Sequence, residues 1–391
     1  MTQTMLKRNV REAVREVNRF EWEGDYRPAA RAAIKALLEG VMQAAVDEHL
    51  ETMAAAGLAD RRNGRYARRY LTEIGDLVLA VSRTRTYSAN EVLGRYRRRA
   101  RAVEQAVVDC FVLGGSTRKV GQMLAPLLGE RVSPQLVSTL AQRLDAQVQA
   151  YHRRPLTRRY RFLLFDGVVL KRRSGAGAQK RVVLVALGIT PDGRKEVLDF
   201  QLAAGESQGS WESFFHDLFC RGLNEEGLEL IVTDGGKGLL AALPLVFPRV
   251  PTQRCWAHKA RNVLHHVRRA DHAAVKRDLH RISHARDRRR AQQALARFAA
   301  RWEKAYPAAV RCVRGDSEEL LAFYAIRDHD RWSQVRTTNL IERRFVEVRR
   351  RTRPMGVFAD RTSIERILFA VFAYENHKQG VNAPLLVTQN S

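Results

Sequence analysis

Residues 161–254 consist of short apolar runs, separated by turn residues and by two stretches of helical spacing. The first two runs are joined by Ser174-Gly-Ala-Gly, and this pattern predicts a β-hairpin. The predicted strands are 161–170, 181–190, 195–202, 228–233 and 250–254, and the predicted helices are 211–221 and 239–246. Strands and helices in this order exclude an all-helical or all-β fold and predict an α/β sheet.

The order of these elements predicts a ribonuclease-H-like domain, in which three antiparallel strands and a helix precede strands that alternate with helices. The segment 255–336 has helical spacing and is very basic, so we interpret it as an all-helical insertion. Two closing helices are predicted over 338–352 and 363–378. The predicted catalytic domain therefore comprises residues 153–254 and 337–379.

The N-terminal part of the chain is mainly helical in pattern. Apolar residues follow helical spacing over 29–56, directly after Arg27-Pro28, and predict a long helix. We interpret residues 1–60 as a helical region for dimerisation or DNA binding. The alternating segment 77–85 predicts a strand or hairpin inside a basic DNA-binding region, residues 61–152.

Residues 116–148 have the pattern of a helix-turn-helix. Ser116 can cap a first helix, Gly129 can end it, and Ser133-Pro134 can open a second helix. The predicted outer face of the second helix carries Gln135, Ser138, Gln142 and Arg143. Pairs of helices also pack this way without binding DNA, so the pattern leaves both interpretations open.

The charge of the chain indicates a polyanionic partner. The 391 residues include 68 Lys and Arg against 42 Asp and Glu, a net charge of +26. Such an excess repels itself without a compensating anion, and double-stranded DNA is the anion that fits best. An anionic membrane surface is the rival, but we find no apolar run of membrane-spanning length, no signal peptide and no lipidation motif. We therefore expect no membrane partner.

The cysteine pattern indicates a reducing compartment. The four cysteines are Cys110, Cys220, Cys255 and Cys312. Their wide spacing is typical of reduced thiols in a cytosolic protein and not of a disulfide framework. We therefore expect a cytoplasmic location.

Three acidic residues lie in settings that suit metal-dependent phosphoryl chemistry. Asp166 and Asp234 each follow an apolar run and precede glycine, so we predict both at strand ends, and Glu342 opens a basic helix. Carboxylates at neighbouring strand ends can converge on divalent cations about 4 Å apart. Mg²⁺ takes oxygen ligands and retains water, so two or three carboxylates suffice, and we expect Mn²⁺ to substitute.

Each of these acids also has a structural explanation. Asp166 can cap a strand, Asp234 can form a tight Asp-Gly turn, and Glu342 can close a capping box with Asn339. The glycine-rich stretch after Asp234 favours a site instead, because a turn that opens a helix can bring backbone donors and Lys237 close to phosphate. The local pattern alone leaves these alternatives open.

Two further patterns accompany the trio. Cys255-x-x-His258 is half of a zinc site, but no second cysteine-rich half is present, and a buried cysteine with a helix-capping histidine is the structural alternative. Arg343 and Arg350 lie seven residues apart on the predicted helix 338–352. They can hold a phosphate backbone beside the metals, or simply form a solvated face.

Four segments together give the chain its resemblance to a known family. They are Phe165-Asp166-Gly167, Val232-Thr-Asp234-Gly, Gln253-Arg-Cys255-Trp-Ala-His258-Lys, and Thr338-Asn339-Leu-Ile-Glu342-Arg343 with Arg349-Arg-Arg-Thr352. In these segments the chain resembles the IS256-type bacterial insertion-sequence transposases, which are related to the eukaryotic Mutator-like elements. The resemblance runs from the N-terminal helical region to near residue 379, and its more specific parts are the Cys-x-x-His and Asn-x-x-Glu-Arg blocks.

The resemblance implies a DDE catalytic domain with a ribonuclease H fold, an all-helical insertion and Mg²⁺ dependence. Asp166, Asp234 and Glu342 would be the catalytic residues and metal ligands. Cys255 and His258 would organise the site or contact DNA. The implied substrates are terminal inverted repeats and target DNA, the implied assembly is a homodimer, and the implied location is the bacterial cytoplasm, in association with the nucleoid.

Three functions are consistent with the sequence. The first is a transposase that binds inverted repeats, cleaves DNA and joins the 3′-hydroxyl to target DNA. The second is a metal-dependent nuclease of the same fold without strand transfer, and the third is a basic DNA-binding regulator whose acids are structural. The helical N-terminal region has a size that suits recognition of DNA ends, which favours the transposase.

Overall fold

The computed structural model describes residues 26–93, 99–112, 115–128, 132–174, 177–358 and 360–381. The chain divides into two units, residues 1–142 and 143–391. The elements of the first unit are α1 (Arg27–Ala55), β1 (Arg62–Thr72), β2 (Gly75–Thr84), α2 (Arg101–Val112), α3 (Thr117–Leu128) and α4 (Pro134–Ala141).

The second unit contains the strands and helices of the predicted sheet domain, followed by a helical segment. Its first elements are α5 (Asp145–Arg153), β3 (Phe162–Ser174), β4 (Gly177–Ile189), β5 (Lys195–Ala203), α6 (Gln208–Cys220), β6 (Leu230–Thr233), α7 (Lys237–Val246) and β7 (Thr252–Arg254). The later elements are α8 (Trp256–Leu264), α9 (His272–Ser283), α10 (Arg288–Trp302), α11 (Pro307–Arg314), α12 (Ser317–Leu320), α13 (Trp332–Val335), α14 (Asn339–Thr352) and α15 (Arg361–Lys378).

In the first unit, a long helix packs on a two-stranded hairpin. Pro28 lies in the first turn of α1, where a missing amide proton costs no hydrogen bond. The helix buries Met42 and Val46 against Leu79 and Val81 of β2. The predicted helix and hairpin are confirmed, and the part of the predicted helical region before residue 26 lies outside the described residues.

The predicted pair of helices follows the hairpin. Helices α3 and α4 contact each other. The hydroxyl of Ser133 caps α4 by accepting a hydrogen bond from the amide of Leu136 at 3.2 Å, and Pro134 lies in the first turn. Gly129, which we expected to end the first helix, lies outside the described residues.

The second helix of this pair is shorter than predicted. Helix α4 ends at Ala141, and the chain continues in a 3₁₀ turn, so the prediction that Gln142 and Arg143 lie on this helix is wrong. The tighter turn places the apolar side chain of Leu144 in the core. The predicted outer-face residues are nevertheless all exposed, and they are Gln135, Ser138, Gln142 and Arg143.

The second unit is built on a five-stranded sheet with the order β5-β4-β3-β6-β7. Strands β3, β4 and β5 are antiparallel neighbours, whereas β3, β6 and β7 run parallel to one another. The register of the first hairpin pairs Ser174 with Gly177, as the glycine-rich turn predicts. This mixed sheet with helices between its strands confirms the α/β class.

Both faces of the central strand are covered. Phe162, Leu163, Leu164 and Phe165 are all fully buried. Because successive side chains of a strand point to opposite faces, this run requires packing on both sides of β3. Helices α6 and α7 supply one layer, through a cluster that includes Trp211. Helix α14 contacts β3 and α15 contacts β5, outside that cluster.

The chain between β7 and α14 is helical, as predicted for 255–336. Gln253 Nε2 and Trp256 Nε1 both donate to the carbonyl of Leu320, at 3.1 and 2.8 Å, and Lys259 forms an ion pair with Asp316. These contacts hold the helical segment against β7. The two predicted closing helices are confirmed as α14 and α15. No helix in the described residues is long and apolar enough to span a membrane.

Candidate active site

Asp166 and Asp234 lie where strands β3 and β6 stop pairing. The parallel register ends with Phe165 opposite Thr233, so each aspartate is the next residue along its chain. Parallel neighbours are about 4.8 Å apart, which makes the two backbones adjacent. Asp234 directly follows the end of β6, as predicted. The prediction that Asp166 ends its strand is wrong, because β3 continues to Ser174 along β4, and it is the shorter β6 that stops.

The carboxyl group of Asp166 is buried and, within the described residues, has no ion pair. The residue is 6% exposed, and its Oδ1 accepts a hydrogen bond from the amide of Gly167 at 2.7 Å. Burial first, then the charge of Asp234 and to a smaller extent that of Glu342, raise the pKa of Asp166 to about 7. A carboxylate in this position favours a proton or a cation, since burial and the neighbouring acids outweigh the favourable effects of the Gly167 amide and His258.

The turn after Asp234 requires glycine. Gly235 has a φ of +92°, in the left-handed region that other residues adopt at a cost. A Cβ at Gly235 would also lie 2.2 Å from the guanidinium carbon of Arg254. Asp234 Oδ1 accepts a hydrogen bond from the amide of Gly236 at 2.9 Å, so the turn orients the carboxylate. The predicted lysine, Lys237, begins α7 and is exposed.

Glu342 lies in the first turn of α14 and faces basic side chains. Its Oε1 is 3.6 Å from Nδ1 of His258 and 3.5 Å from Nη2 of Arg261. The hydroxyl of Thr338 donates to the same oxygen at 3.4 Å. The capping box with Asn339 does not form, because Thr338 is the N-cap residue and its side chain caps no amide. Glu342 is therefore directed towards α8.

Cys255 connects the two acidic regions. Its amide donates to the carbonyl of Thr233 at 2.8 Å, at the end of the strand that precedes Asp234. Its Sγ accepts hydrogen bonds from the amide and the hydroxyl of Thr338, at 3.2 and 3.3 Å. Thr338 in turn precedes the helix that carries Glu342. Cys255 thus joins β6, through its amide, to the start of α14, through its buried thiol.

The Cys-x-x-His pair is electrostatically coupled. The hydrogen bond with Cys255 raises the pKa of His258. Burial alone would raise the pKa of the Cys255 thiol, but hydrogen bonds from His258 and Thr338 outweigh burial and lower this pKa. Both shifts favour the charged forms of the two side chains relative to their ordinary pKa values, and the imidazole of His258 faces Glu342.

The described residues contain no three histidine, cysteine or acidic side chains grouped closely enough to hold a metal ion. This applies to the predicted half zinc site, where Cys255 and His258 bond each other and Thr338. It applies equally to the acidic trio, whose members are neighbours but do not converge on one point. Any cation at the trio requires rotation of its side chains.

The predicted arginines of α14 differ in their partners. Arg343 and Arg350 are both exposed. Arg350 forms an ion pair with Glu347 at 3.0 Å, whereas Arg343 has no ion pair within the described residues. The remaining predicted DNA-binding residues, Gln135, Ser138 and Gln142, belong to the first unit, and Arg143 begins the second.

The sequence analysis missed two residues of this site, Glu206 and Arg261. Glu206 lies between β5 and α6, directly before Ser207, which caps α6 by accepting from the amide of Ser210. A glutamate before a capping serine is common at helix starts, so no local pattern identifies Glu206 as a site residue. Burial and the charge of Asp234 raise the pKa of Glu206. Arg261 is one of many arginines on basic helices, and only the packing of α8 on α14 distinguishes it.

Comparison with protein families defines the class of this protein. The family model described as "Transposase, Mutator family" matches residues 4–380, which is nearly the whole chain. The chain therefore belongs to the Mutator family of transposases. The acidic trio, the Cys-x-x-His pair and the sheet that carries them all lie within the matched residues.

Individual relatives are transposases of bacterial insertion sequences. The chain is 32% identical over 358 residues to the transposase for insertion sequence element ISRM5 of Rhizobium meliloti (strain 1021), covering 90% of this chain and 89% of the relative. It is 30% identical over 355 residues to the IS905 transposase of Lactococcus lactis, covering 90% of each. It is 32% identical over 313 residues to the IS256 transposase in Tn4001 of Staphylococcus aureus, covering 80% of each. The predicted family and the predicted transposase function are confirmed.

Proposed function

We propose that this transposase uses Asp166, Asp234 and Glu342 as a DDE triad to cleave DNA at terminal inverted repeats and to join the 3′-hydroxyl ends to target DNA. The observation that carries the proposal is the register of β3 and β6, which sets the two aspartates side by side. Glu342 is near enough to influence the pKa of Asp166. Metal-dependent phosphoryl transfer uses carboxylates that converge on divalent cations.

The donor set fits Mg²⁺, with Mn²⁺ as a substitute. All three side chains offer carboxylate oxygen, the ligand that Mg²⁺ takes most readily in proteins. The pKa of Asp166 is raised by burial and by like charges, and a nearby cation would offset both effects. Asp166, Asp234 and Glu342 would hold the ions. Divalent cations at such a site activate the attacking water or hydroxyl and stabilise the leaving oxygen.

Cys255, His258 and Thr338 position Glu342 in this proposal. His258 and Arg261 draw the glutamate towards α8 at 3.6 and 3.5 Å. The amide of Cys255 is bonded at the end of β6, so the same contacts set the distance between α14 and the turn of Asp234. Of the two roles that the resemblance implies for this pair, the geometry favours organising the site.

We further propose a ribonuclease-H-like catalytic domain made of residues 153–254 and 337–379, with 255–336 as an all-helical insertion. The order of antiparallel β3–β5, helix α6 and parallel β6 and β7 supports it. Residues 1–152 would recognise the inverted repeats, and a homodimer would hold two transposon ends. The proposed DNA contacts are Gln135, Ser138, Gln142, Arg143, Lys237, Arg343 and Arg350, all exposed.

The triad is tested by three separate substitutions in the full chain, Asp166→Asn, Asp234→Asn and Glu342→Gln. We expect cleavage of inverted-repeat DNA with Mg²⁺ or Mn²⁺ to fall by more than about 10²-fold. Binding of the same DNA should persist, because these residues are not the phosphate contacts. Wild-type cleavage by all three variants would overturn the proposal.

A matched control removes a carboxylate elsewhere in the same unit. Glu226 precedes β6, so it lies at the opposite end of the strand from Asp234, and it forms an exposed ion pair with Arg159 at 2.7 Å. Glu226→Gln should cleave like the wild type. Assaying joined products beside cleaved ones separates the transposase from a nuclease, since a nuclease would yield cleaved ends without strand transfer.

A further inference from the structure

The space beside Gly167 is occupied by a carboxylate from another part of the chain. A Cβ built at Gly167 would lie 2.4 Å from Oε1 of Glu206. A Cβ built at Gly236 would lie 3.6 Å from Oε2 of the same side chain. Gly167 adjoins Asp166, and Gly236 lies in the turn of Asp234. The two oxygens of Glu206 therefore face the backbones next to both aspartates.

The backbone of Glu206 is held in this place by close packing. A Cβ at Gly238 would lie 2.1 Å from the carbonyl oxygen of Glu206, so α7 and the loop before α6 meet with no room for a side chain. Ser207 then caps α6 through the amide of Ser210 at 3.2 Å. The position of Glu206 is thus set by two helices and not by a free loop.

The Glu206 carboxylate has no partner of its own. Within the described residues it accepts no hydrogen bond and forms no ion pair, although the chain carries a net charge of +26. Asp166 and Asp234 likewise have no ion pair in the part of the chain that the structure describes. Three neighbouring carboxylates that form no ion pair in the described residues repel one another, and a cation between them would relieve that repulsion.

We propose that Glu206 is a fourth carboxylate of the acidic site and helps to hold the divalent cation that the proposed function assigns to Asp166 and Asp234. The inference rests on that proposed function. It also assigns a role to Gly167, because only glycine leaves the Glu206 carboxylate its place beside Asp166. Glu206 acts as a ligand or as an acceptor for cation-bound water, and both functions require its negative charge.

The test is Mn²⁺ binding to the full-length protein without DNA, measured from the electron paramagnetic resonance signal of free Mn²⁺. Glu206→Gln should raise the Kd for Mn²⁺ by about tenfold. Gly167→Ala should raise it similarly, because the added methyl group displaces the Glu206 side chain. Glu226→Gln removes one charge at the other end of the strand and should leave the Kd unchanged. Thermal unfolding of each variant monitors the fold, and the exposed position of Glu206 makes its substitution compatible with folding.

The outcomes distinguish this inference from the proposed function. If Asp234→Asn weakens Mn²⁺ binding while Glu206→Gln binds like the wild type, the role of Glu206 is refuted and the triad stands. If none of the variants Asp166→Asn, Asp234→Asn and Glu206→Gln changes the Kd for Mn²⁺, both the triad and the fourth carboxylate are refuted. Equal weakening by Glu226→Gln would show a general charge effect and would also refute the specific role.

Discussion

Asp166 and Asp199 lie on the same sheet and are buried alike, yet their surroundings are opposite. Their exposed fractions are 6% and 2%. Asp199 accepts hydrogen bonds from Nδ1 of His152 and from the amide of Phe200, both at 2.7 Å, and forms an ion pair with Arg221. Asp166 accepts one bond from a neighbouring amide and has no ion pair within the described residues.

The difference shows which buried acids stabilise the fold and which remain available for chemistry. Basic partners are abundant, since the chain has 68 lysines and arginines, so scarcity does not explain the isolation of Asp166. Asp278 in the helical segment repeats the pattern of Asp199, because Arg281 at 2.7 Å and Trp302 at 2.9 Å both donate to it. Asp199 and Asp278 are buried acids with basic partners, whereas Asp166 is a buried acid without an ion pair in the described residues.

The largest expected effect comes from removing the charge of each acid in turn. Asp199→Asn should lower the free energy of unfolding by about 3 kcal/mol, because it removes the buried carboxylate that pairs with Arg221 and leaves that guanidinium only the exposed Asp217, at 2.8 Å. Asp166→Asn should leave stability unchanged or raise it, because it removes a buried charge that burial and neighbouring acids disfavour. Urea unfolding of both variants measures the difference, and equal losses would show that the two acids are structurally equivalent.

A smaller effect is expected from the residues that position Glu342. His258→Gln should reduce DNA cleavage by roughly 10- to 100-fold, because it removes the imidazole 3.6 Å from the glutamate without removing a proposed ligand. Stability should change little. The control is His265→Gln, an exposed histidine at the end of the same helix. Equal loss in both variants would assign the effect to the helix and not to the contact with Glu342.

The raised pKa of Asp166 predicts a pH dependence of stability. Between an unfolded value of 3.8 and a folded value of about 7, the folded state retains a proton that the unfolded state has lost. The free energy of unfolding should therefore decrease as pH rises through this window, by about 1 kcal/mol per pH unit, and level off above it. The measurement is urea unfolding from pH 5 to 8 in wild type and Asp166→Asn. A variant that keeps the full slope would assign it to other groups.

The smallest expected effect concerns paired and unpaired arginines of α14. Arg343→Ala should reduce the slope of log binding constant against log salt concentration by about 1, because Arg343 has no ion pair in the part of the chain that the structure describes and can contact a phosphate. Arg350→Ala should change the slope less, since Arg350 is already bonded to Glu347. Binding measured across a salt series tests both. Equal slopes for the two variants would remove the distinction.

The predicted sheet agrees with the structure because local patterns determine it. Apolar runs bounded by turn residues located every strand of the sheet, with differences of a few residues at the ends. The largest error lay at Asp166, where Asp-Gly resembles a turn but continues as strand. Pairing with β4 overrides that local preference, because thirteen residues of β3 are held by one antiparallel ladder.

The residues of the trio could be named in advance because each adjoins a recognisable element boundary or family segment. The residues that contact the trio in the folded protein could not be named in advance. Arg261 and His258 contact Glu342 although they precede it by more than 80 positions in the sequence. Glu206 approaches Gly167 from the loop before α6. Such contacts depend on how the helices pack across the sheet, and local sequence spacing does not predict them.

The amino-acid sequence alone thus predicts the strands, the helices and the basic character of the chain. It also identifies the acids that are candidates for catalysis, because periodicity and charge can be read along the chain. Whether a given buried acid is neutralised, as Asp199 is, or left open, as Asp166 is, follows from the folded arrangement. An ion pair needs two groups within about 4 Å, and only the packed sheet and helices bring distant segments to that separation.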